Sequence, residues 1–426
     1  MEMRQVLSVD EIDLADIEFW GRPLAEREGA FATLRAERPI PFLKEHRIPG
    51  LPIEPGPGFW NLTRHADILE ASRMADVFSS ARGATSIMDL PVEFNEFFGG
   101  MINMDDPRHA RQRRIVSRGF TPRSLQRLDQ QVIERARLVV DRVIERGECD
   151  FVTDIAAPLP LEIICDMMGI PDSKAAMVFE QTNTILGLGD PDFVPPGGDL
   201  QTAAMMAGAA LAELMSEMAE DRRKNPKDDM TTMLLDAGQE DGAFTEEELC
   251  SFFVLLVVAG NETTRNSISH GMKALCDNPD QRAIWAADFE GVAPTAVEEI
   301  VRVATPVIQM RRSLLRDYEI GGQQMREGDK AVLWYASGNR DEAVFKDPHS
   351  FDVRRTPNDH VGFGGPGPHF CLGANLARRE ITVMFREIFR RLPDLEITGE
   401  PDFLRSGFIN GIKRMPCKFT PGKVGS

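Results

Sequence analysis

Residues 360–373 read HVGFGGPGPHFCLG, a run that no regular helix or strand can contain. Glycine opens backbone conformations closed to other residues, and Pro366 and Pro368 each withdraw a backbone donor. The segment therefore predicts an irregular loop that ends on Cys371 at the start of a helix. Gly362, Gly364 and Gly367 satisfy the GxGxxG pattern of dinucleotide sites, but RTPNDH stands where the buried strand of such a site belongs. No Gly-Lys-Ser/Thr follows, so a Walker loop is excluded as well. Such a loop offers something else. Its glycines can lie flat against a planar ligand, and the N–H groups at the helix start favour a thiolate on Cys371. A haem iron with a thiolate ligand requires both properties.

Composition narrows the remaining classes. The 426 residues carry 67 acidic against 49 basic side chains, a formal net charge of −18. A general nucleic-acid binder needs a basic surface, so that class is set aside. The six cysteines, Cys149, Cys165, Cys250, Cys276, Cys371 and Cys417, form no CxxC pair and suggest neither a zinc ribbon nor a disulfide scaffold. The opening stretch MEMRQVLSVDEIDLADIEFW is acidic and polar, unlike a secretory or organelle signal. The longest apolar run, residues 252–260, is far shorter than the roughly 20 residues of a membrane span. The expectation is a cytoplasmic protein without a stable membrane anchor.

The chain has no repeat of fixed period. Residues 58–74, GFWNLTRHADILEASRM, read as a short strand running into a helix. A helical pattern runs from Pro107 to about Cys149. Pro158 and Pro160 then interrupt, and LEIICDMMGI is a short apolar helix ended by Pro171. Residues 187–199 form a turn-rich loop. The longest helix starts at Thr245, where TEEE is a capping box ahead of FFVLLVVAG, and continues to Cys276 before Asn278-Pro279 stops it. About thirty residues make a rod of roughly 45 Å. Strand signals are sparse and late, at Tyr318–Ile320 and residues 331–335. The fold class expected is mainly α with a minor antiparallel β region, and the absence of βαβ alternation counts against a doubly wound fold.

Two further segments carry polar groups in telling places. In the middle of the long helix, Ala259-Gly260-Asn261-Glu262-Thr263-Thr264 follows the apolar run, and Gly260 costs about 1 kcal/mol there. Glu299 and Arg302 lie three apart on one helical face. With the cysteine loop, these segments resemble the cytochrome P450 family of haem-thiolate monooxygenases, and the likeness extends over nearly the whole chain. Ala259–Thr264 looks like the family's acid–alcohol motif and Glu299-Ile-Val-Arg302 like its ExxR signature, with Arg355 in the place of the third member.

The resemblance implies a single P450 domain over residues 1–426 binding haem b, with O2 as co-substrate. It implies Cys371 as the iron ligand, with Phe363 and Gly373 in the loop, and Ala259 and Gly260 beside the cofactor. Glu262 and Thr263 would manage protons, while Glu299, Arg302 and Arg355 would hold the loop. His109 and Arg113 match the family's HxxxR, Arg312 matches its later arginine, and His369 its basic residue before the ligand; all four would meet the haem propionates. Arg311 stays open as a substitute for Arg312. One departure is visible: Phe363 stands eight residues before Cys371, where the common loop has seven.

The details FGGxGxHFCLGANLAR, AGNETTRN and WYxSxNRDExxF narrow the likeness to bacterial enzymes that hydroxylate terminal methyl groups of sterol side chains and methyl-branched lipids. A hydroxylase of smaller terpenoid compounds and a non-catalytic haem sensor are the alternatives, and Glu262 with Thr263 favours catalysis over the sensor. The expected partners are a hydrophobic small molecule, a ferredoxin and a ferredoxin reductase. Variable segments 83–100, 186–206, 307–310 and 407–409 would line the substrate pocket, with Phe94, Phe97, Phe98, Phe193, Val307, Ile308 and Phe408 as apolar contacts. Arg378, Arg379, Arg386, Arg390 and Arg391, with Arg111, Arg114, Arg118 and Arg123, are candidates for an electron-donor dock.

Overall fold

The computed structural model describes residues 7–47, 53–187, 190, 192–193, 199–236 and 244–425. The loop expected at 187–199 falls largely outside them.

The long helix organises the rest. It spans Glu246–Asp277; the Thr245 hydroxyl accepts from the Glu248 N–H, and the Glu248 carboxylate accepts from the Thr245 N–H. The reciprocal cap starts the helix where the sequence places it. Its apolar stretch from Phe252 to Val257 is buried on every side, so this helix runs through the core and not along its surface. Helices Val92–Gly99, Pro158–Met168, Leu200–Lys224, Phe289–Ala304 and Ala374–Arg391 all pack directly on it.

Other elements depart from the sequence reading for identifiable reasons. The helical pattern after Pro107 breaks into Arg108–Val116, a 3-10 turn Ser117–Phe120 and a helix Pro122–Asp141, and Cys149 belongs to strand Glu148–Asp150. Pro158 and Pro160 begin a helix instead of interrupting one. They occupy its first turn, where no intrahelical N–H bond is lost. Gly169, with φ of 73°, ends that helix in the left-handed conformation before Pro171 is reached.

A five-stranded sheet stands beside the helices in the order Phe42–Leu43, Phe59–Leu62, Lys330–Trp334, Gln309–Leu314, Phe78–Ser79. Its pairings are antiparallel except that Phe59–Leu62 runs parallel to Lys330–Trp334. Sequence reading finds the strands at 318–320 and 331–335 but not Gln309–Leu314, because Arg311 and Arg312 disguise a strand buried through nearly its whole length. Strand alternation sends Met310 and Arg312 to one face and Arg311 to the other. That placement matters for the site.

Candidate functional site

A large cavity lies between the long helix and the cysteine loop, with about 1420 Å³ of space including its mouth. Gly362, Phe363, Gly364, Cys371 and Gly373 form part of its wall. The loop is held by its own backbone: the Gly364 N–H donates to the Val361 carbonyl at 2.9 Å, and the Cys371 N–H to the Phe363 carbonyl at 2.9 Å. Gly364 has φ of 85°, where a side chain is disfavoured. A Cβ built on Gly373 would meet no atom within 4 Å. The loop thus presents bare backbone to the cavity beside the sulfur.

Cys371 sits deep in the molecule, and its exposed surface is cavity surface. Burial pushes its thiol up, while the Gly373 N–H, the Arg113 and Arg378 guanidinium groups and the Ala374 N–H pull the other way. The helix Ala374–Arg391 begins directly after it. The Arg378 guanidinium lies 4.4 Å from the centroid of the Phe363 ring. The other five cysteines do not line this cavity.

Four basic side chains converge on the same space: His109, Arg113, Arg312 and His369. The two imidazole rings are 4.3 Å apart at their centroids. Arg113 donates to the Phe370 carbonyl at 2.6 Å and buried Arg312 to the Arg311 carbonyl at 2.7 Å, and neither forms an ion pair with a carboxylate among the described residues. Burial, followed by the charges of Arg312, His109 and Arg113, pushes His369 down to about 2. Burial also lowers His109, whose Nδ1 lies 3.3 Å from Asp106 Oδ1, so the charge here rests on Arg113 and Arg312. Two guanidinium groups without a carboxylate partner are unfavourable, and two carboxylates would relieve them. The bare loop and the two guanidinium groups, with the imidazoles as further hydrogen-bonding groups, together fit a planar dianionic cofactor with its metal at the sulfur.

The open choice between the neighbouring arginines is decided by the strand's two faces. Arg312 faces the cavity. Arg311 turns away, donating to the Ile87 and Met88 carbonyls at 3.1 and 3.0 Å and to Asp89 Oδ1 at 2.7 Å.

Behind the loop, Glu299 and Arg302 form a bidentate pair, both bonds 2.8 Å, with neither side chain exposed. Arg355 Nε donates to both Glu299 oxygens at 3.1 and 3.0 Å. Arg302 spends its remaining donors on the carbonyls of Asn339, Pro348 and Ser350. Burial opposes ionisation of Glu299, yet hydrogen bonds and charge from Arg302, with help from the Asp352 N–H and Arg355, hold its carboxyl below the usual range.

Comparison with known proteins agrees with this geometry. The family model described as Cytochrome P450 matches residues 292–413. A methyl-branched lipid omega-hydroxylase of Mycobacterium tuberculosis is 49% identical over 415 residues, covering 97% of this chain and 95% of the relative. The chain belongs to the cytochrome P450 family. A steroid C26-monooxygenase of Mycolicibacterium smegmatis is 42% identical over 367 residues, 85% of this chain and 84% of the relative. A Mycobacterium marinum cytochrome P450 solved with pseudoionone superposes with a TM-score of 0.91 at 39% identity, covering 98% of this chain and all of that one. The protein is accordingly a P450 monooxygenase, and membership in the family implies haem on a cysteine thiolate, with O2 as the oxidant.

Within that family frame, the long helix divides its motif between two spaces. Ala259, Gly260 and Thr263 line the haem cavity. The Thr263 hydroxyl donates to the Ala259 carbonyl at 2.8 Å. Glu262 points elsewhere. It pairs with Arg265 in a second, much smaller pocket that Lys413 also lines. Burial pushes the Glu262 carboxyl up against the pull of Arg265, and its Oε1 has no hydrogen-bond partner among the described residues.

Sequence reading missed Glu380. It lies about two turns into the cysteine helix, lines the cavity and is buried. Burial, only partly offset by a hydrogen bond from Thr264, pushes its carboxyl up to about 8. An ARRE run on a helix reads as solvated surface, and only packing against the long helix shows otherwise. Because the folded chain keeps a proton there that the unfolded chain loses above pH 4.5, this group's contribution to stability falls as pH rises from about 5 to 8, by at most about 1.4 kcal/mol per unit. We expect Glu380→Gln to flatten that slope in urea unfolding of the holoprotein across this range. Parallel curves for the two proteins would show that Glu380 does not titrate as described.

The cavity's apolar wall differs from the expected one. Val307 and Met310 line it, with Phe252, Leu255 and Leu256 of the long helix. Phe94, Phe97, Phe98, Ile308 and Phe408 do not. Phe97 and Phe98 pack on the core and crowd Gly208, while Ile308 belongs to a separate cluster with Trp334. Phe193 lines the small pocket instead, and much of segment 186–206 lies outside the described residues. The suggested docking arginines of the cysteine helix are already paired: Arg378 with Glu298, Arg379 with Asp129, Arg386 with Glu290, Arg390 with Glu387 and Arg391 with Asp141. Their charge is largely offset within the chain. Among the described residues, no helix is long and apolar enough to cross a membrane.

Proposed function

We propose that this P450 hydroxylates the terminal methyl group of a methyl-branched lipid or a sterol side chain. The observation that carries the reading is the apolar wall that Leu255, Leu256, Val307 and Met310 set in the same cavity as Cys371. Such a wall takes a hydrocarbon chain by burial, at about 25 cal/mol per Å² of apolar surface. The names of the similar enzymes point to the same substrates.

Haem b, held by Cys371 with His109, Arg113, Arg312 and His369 about its carboxylates, supplies the O2 activation and redox capacity needed to break an unactivated C–H bond. The chain's own residues bind and manage protons. Apolar side chains exclude water around the reacting carbon. The unpartnered Glu262 Oε1 carries protons inward from the small pocket, and Thr263 Oγ1 releases its bond to the Ala259 carbonyl to pass them on. Two electrons come from a ferredoxin served by its reductase, so that one oxygen atom enters the substrate and the other leaves as water.

The test is reconstitution with a ferredoxin and its reductase against a panel of methyl-branched fatty acids, sterols and smaller terpenoids. Terminal alcohols of the first two classes are expected; products from the terpenoids alone would overturn the substrate assignment. Thr263→Ala should retain haem but divert reducing equivalents to peroxide, lowering product per NAD(P)H severalfold. Unchanged coupling would remove Thr263 from the proton route.

A further inference from the structure

We propose that Thr305 and Asn339 form a strut that sets the substrate wall against the cysteine loop and thereby selects which carbon is oxidised. The inference rests on the hydroxylase reading above and adds two positioning residues to it.

The helix Phe289–Ala304 ends at Thr305, whose backbone takes φ 36° and ψ 66°. A β-branched residue in the left-handed region is an outlier, and it persists only where its surroundings over-determine it. Here they do. The Thr305 N–H donates to the Val301 carbonyl at 2.9 Å and its hydroxyl to the Arg302 carbonyl at 2.6 Å. With its one proton committed, that hydroxyl accepts from Asn339 Nδ2 at 2.9 Å. Asn339 Oδ1 in turn accepts the Val361 N–H at 2.7 Å, and the Asn339 carbonyl accepts from Arg302 Nη1 at 2.9 Å. Both residues are fully buried, at 1% and 0% exposure.

The two ends of this chain of bonds matter. Val361 opens the cysteine loop, since its carbonyl holds the Gly364 N–H. Thr305 is followed by Pro306 and Val307, both of which line the cavity. Their far side is pinned by the Asn410 N–H on the Pro306 carbonyl at 2.9 Å and by the bridge between Val307 and Ile409. The wall therefore leaves the helix at the residue tied through one amide to the loop carrying the sulfur. A terminal methyl and its neighbouring carbon are one bond apart, roughly 1.5 Å, and misplacement by about 1 Å can change a rate a hundredfold. A strut that holds the wall within that tolerance sets regiochemistry without touching the substrate.

The experiment compares the haem-loaded wild type with Thr305→Gly, Thr305→Val and Thr305→Ser. Glycine relieves the backbone outlier and removes the hydroxyl, valine removes the hydroxyl alone, and serine keeps it. For Thr305→Gly and Thr305→Val, the ratio of terminal to internal alcohol should fall at least fivefold while the thiolate band of the reduced carbonyl adduct stays intact. Thr305→Ser should stay within twofold of the wild type. Amide hydrogen exchange in the holoprotein at Ile308, whose N–H donates to the Phe408 carbonyl at 2.8 Å beside the bridge, should speed at least fivefold in Thr305→Gly. An unchanged product ratio in Thr305→Gly overturns the strut, as does loss of the thiolate band in step with any altered ratio, which would assign the pair to haem binding alone. If the wild type forms no terminal alcohol, the hydroxylase reading fails. The strut is then judged on the ratio of the alcohols that do form, and an unchanged ratio again rejects it.

Discussion

Cys371→Ser should abolish the thiolate band of the reduced carbonyl adduct completely and with it all monooxygenase turnover. Among the described residues lining the cavity, Cys371 supplies the thiol, and the groups around it are arranged for an anion: the N–H groups of Gly373 and Ala374 and the guanidinium groups of Arg113 and Arg378 all favour thiolate against the cost of burial. A coordinating metal deprotonates such a thiol outright. A serine hydroxyl is far less acidic and a harder donor, so it cannot take the place of a thiolate. Haem retained by the four basic residues would then give the spectrum of a different axial ligand. A Cys371→Ser protein that kept the normal thiolate band would move the iron site elsewhere. The five remaining cysteines offer no alternative within this cavity: Cys165 and Cys250 are buried in the core and Cys276 packs against it, all three with thiols raised by burial, and Cys149 and Cys417 face each other across a strand pair.

The second large effect concerns Arg302. All five of its N–H donors are used, two on Glu299 and three on the carbonyls of Asn339, Pro348 and Ser350. Its guanidinium also lies 5.3 Å from the Phe345 ring centroid. Removing one partner of a buried pair leaves the other charge uncompensated, at a cost of about 3–5 kcal/mol, against a total stability of about 5–15 kcal/mol for a typical protein. Arg302→Leu should therefore yield little haem-loaded protein. Arg302→Lys is the sharper test, because it keeps the charge but cannot reproduce the planar fork. We expect its ratio of haem to protein, read from Soret and ultraviolet absorbance, to fall severalfold and its urea midpoint to drop. Wild-type haem content and midpoint in Arg302→Lys would show that the network needs only a charge there.

The parts of the site legible in the chain share a physical trait: each is local. The cysteine loop declares itself through glycines and prolines that no helix or strand would keep. The long helix declares itself through the Thr245 cap and the apolar run behind it, and Glu299 with Arg302 through a spacing that puts them on one face. Parts assembled from distant segments were less legible. Arg311 and Arg312 are neighbours in sequence, and only the pairing of Gln309–Leu314 with Lys330–Trp334 sends one to Asp89 and the other to the cavity. Phe97 and Phe98 read as pocket residues by their segment, yet they pack against the helix carrying Gly208. Glu380 reads as part of a charged surface run, and it is buried because that face of its helix meets the long helix.

By itself, then, the sequence determined the local pieces: a glycine-rich loop ending on a cysteine, a polar break in an apolar helix and a glutamate and arginine on one helical face, each set by neighbouring residues through capping, turn geometry and helical spacing. The tertiary structure decided everything that depends on which surfaces meet. It alone turned Glu262 to a second pocket, offset the arginines of the cysteine helix with carboxylates from other elements, and joined Thr305 to Val361 through Asn339. Local propensity follows from a few consecutive residues, whereas burial and pairing follow from contacts between segments up to several hundred positions apart, which no local pattern encodes.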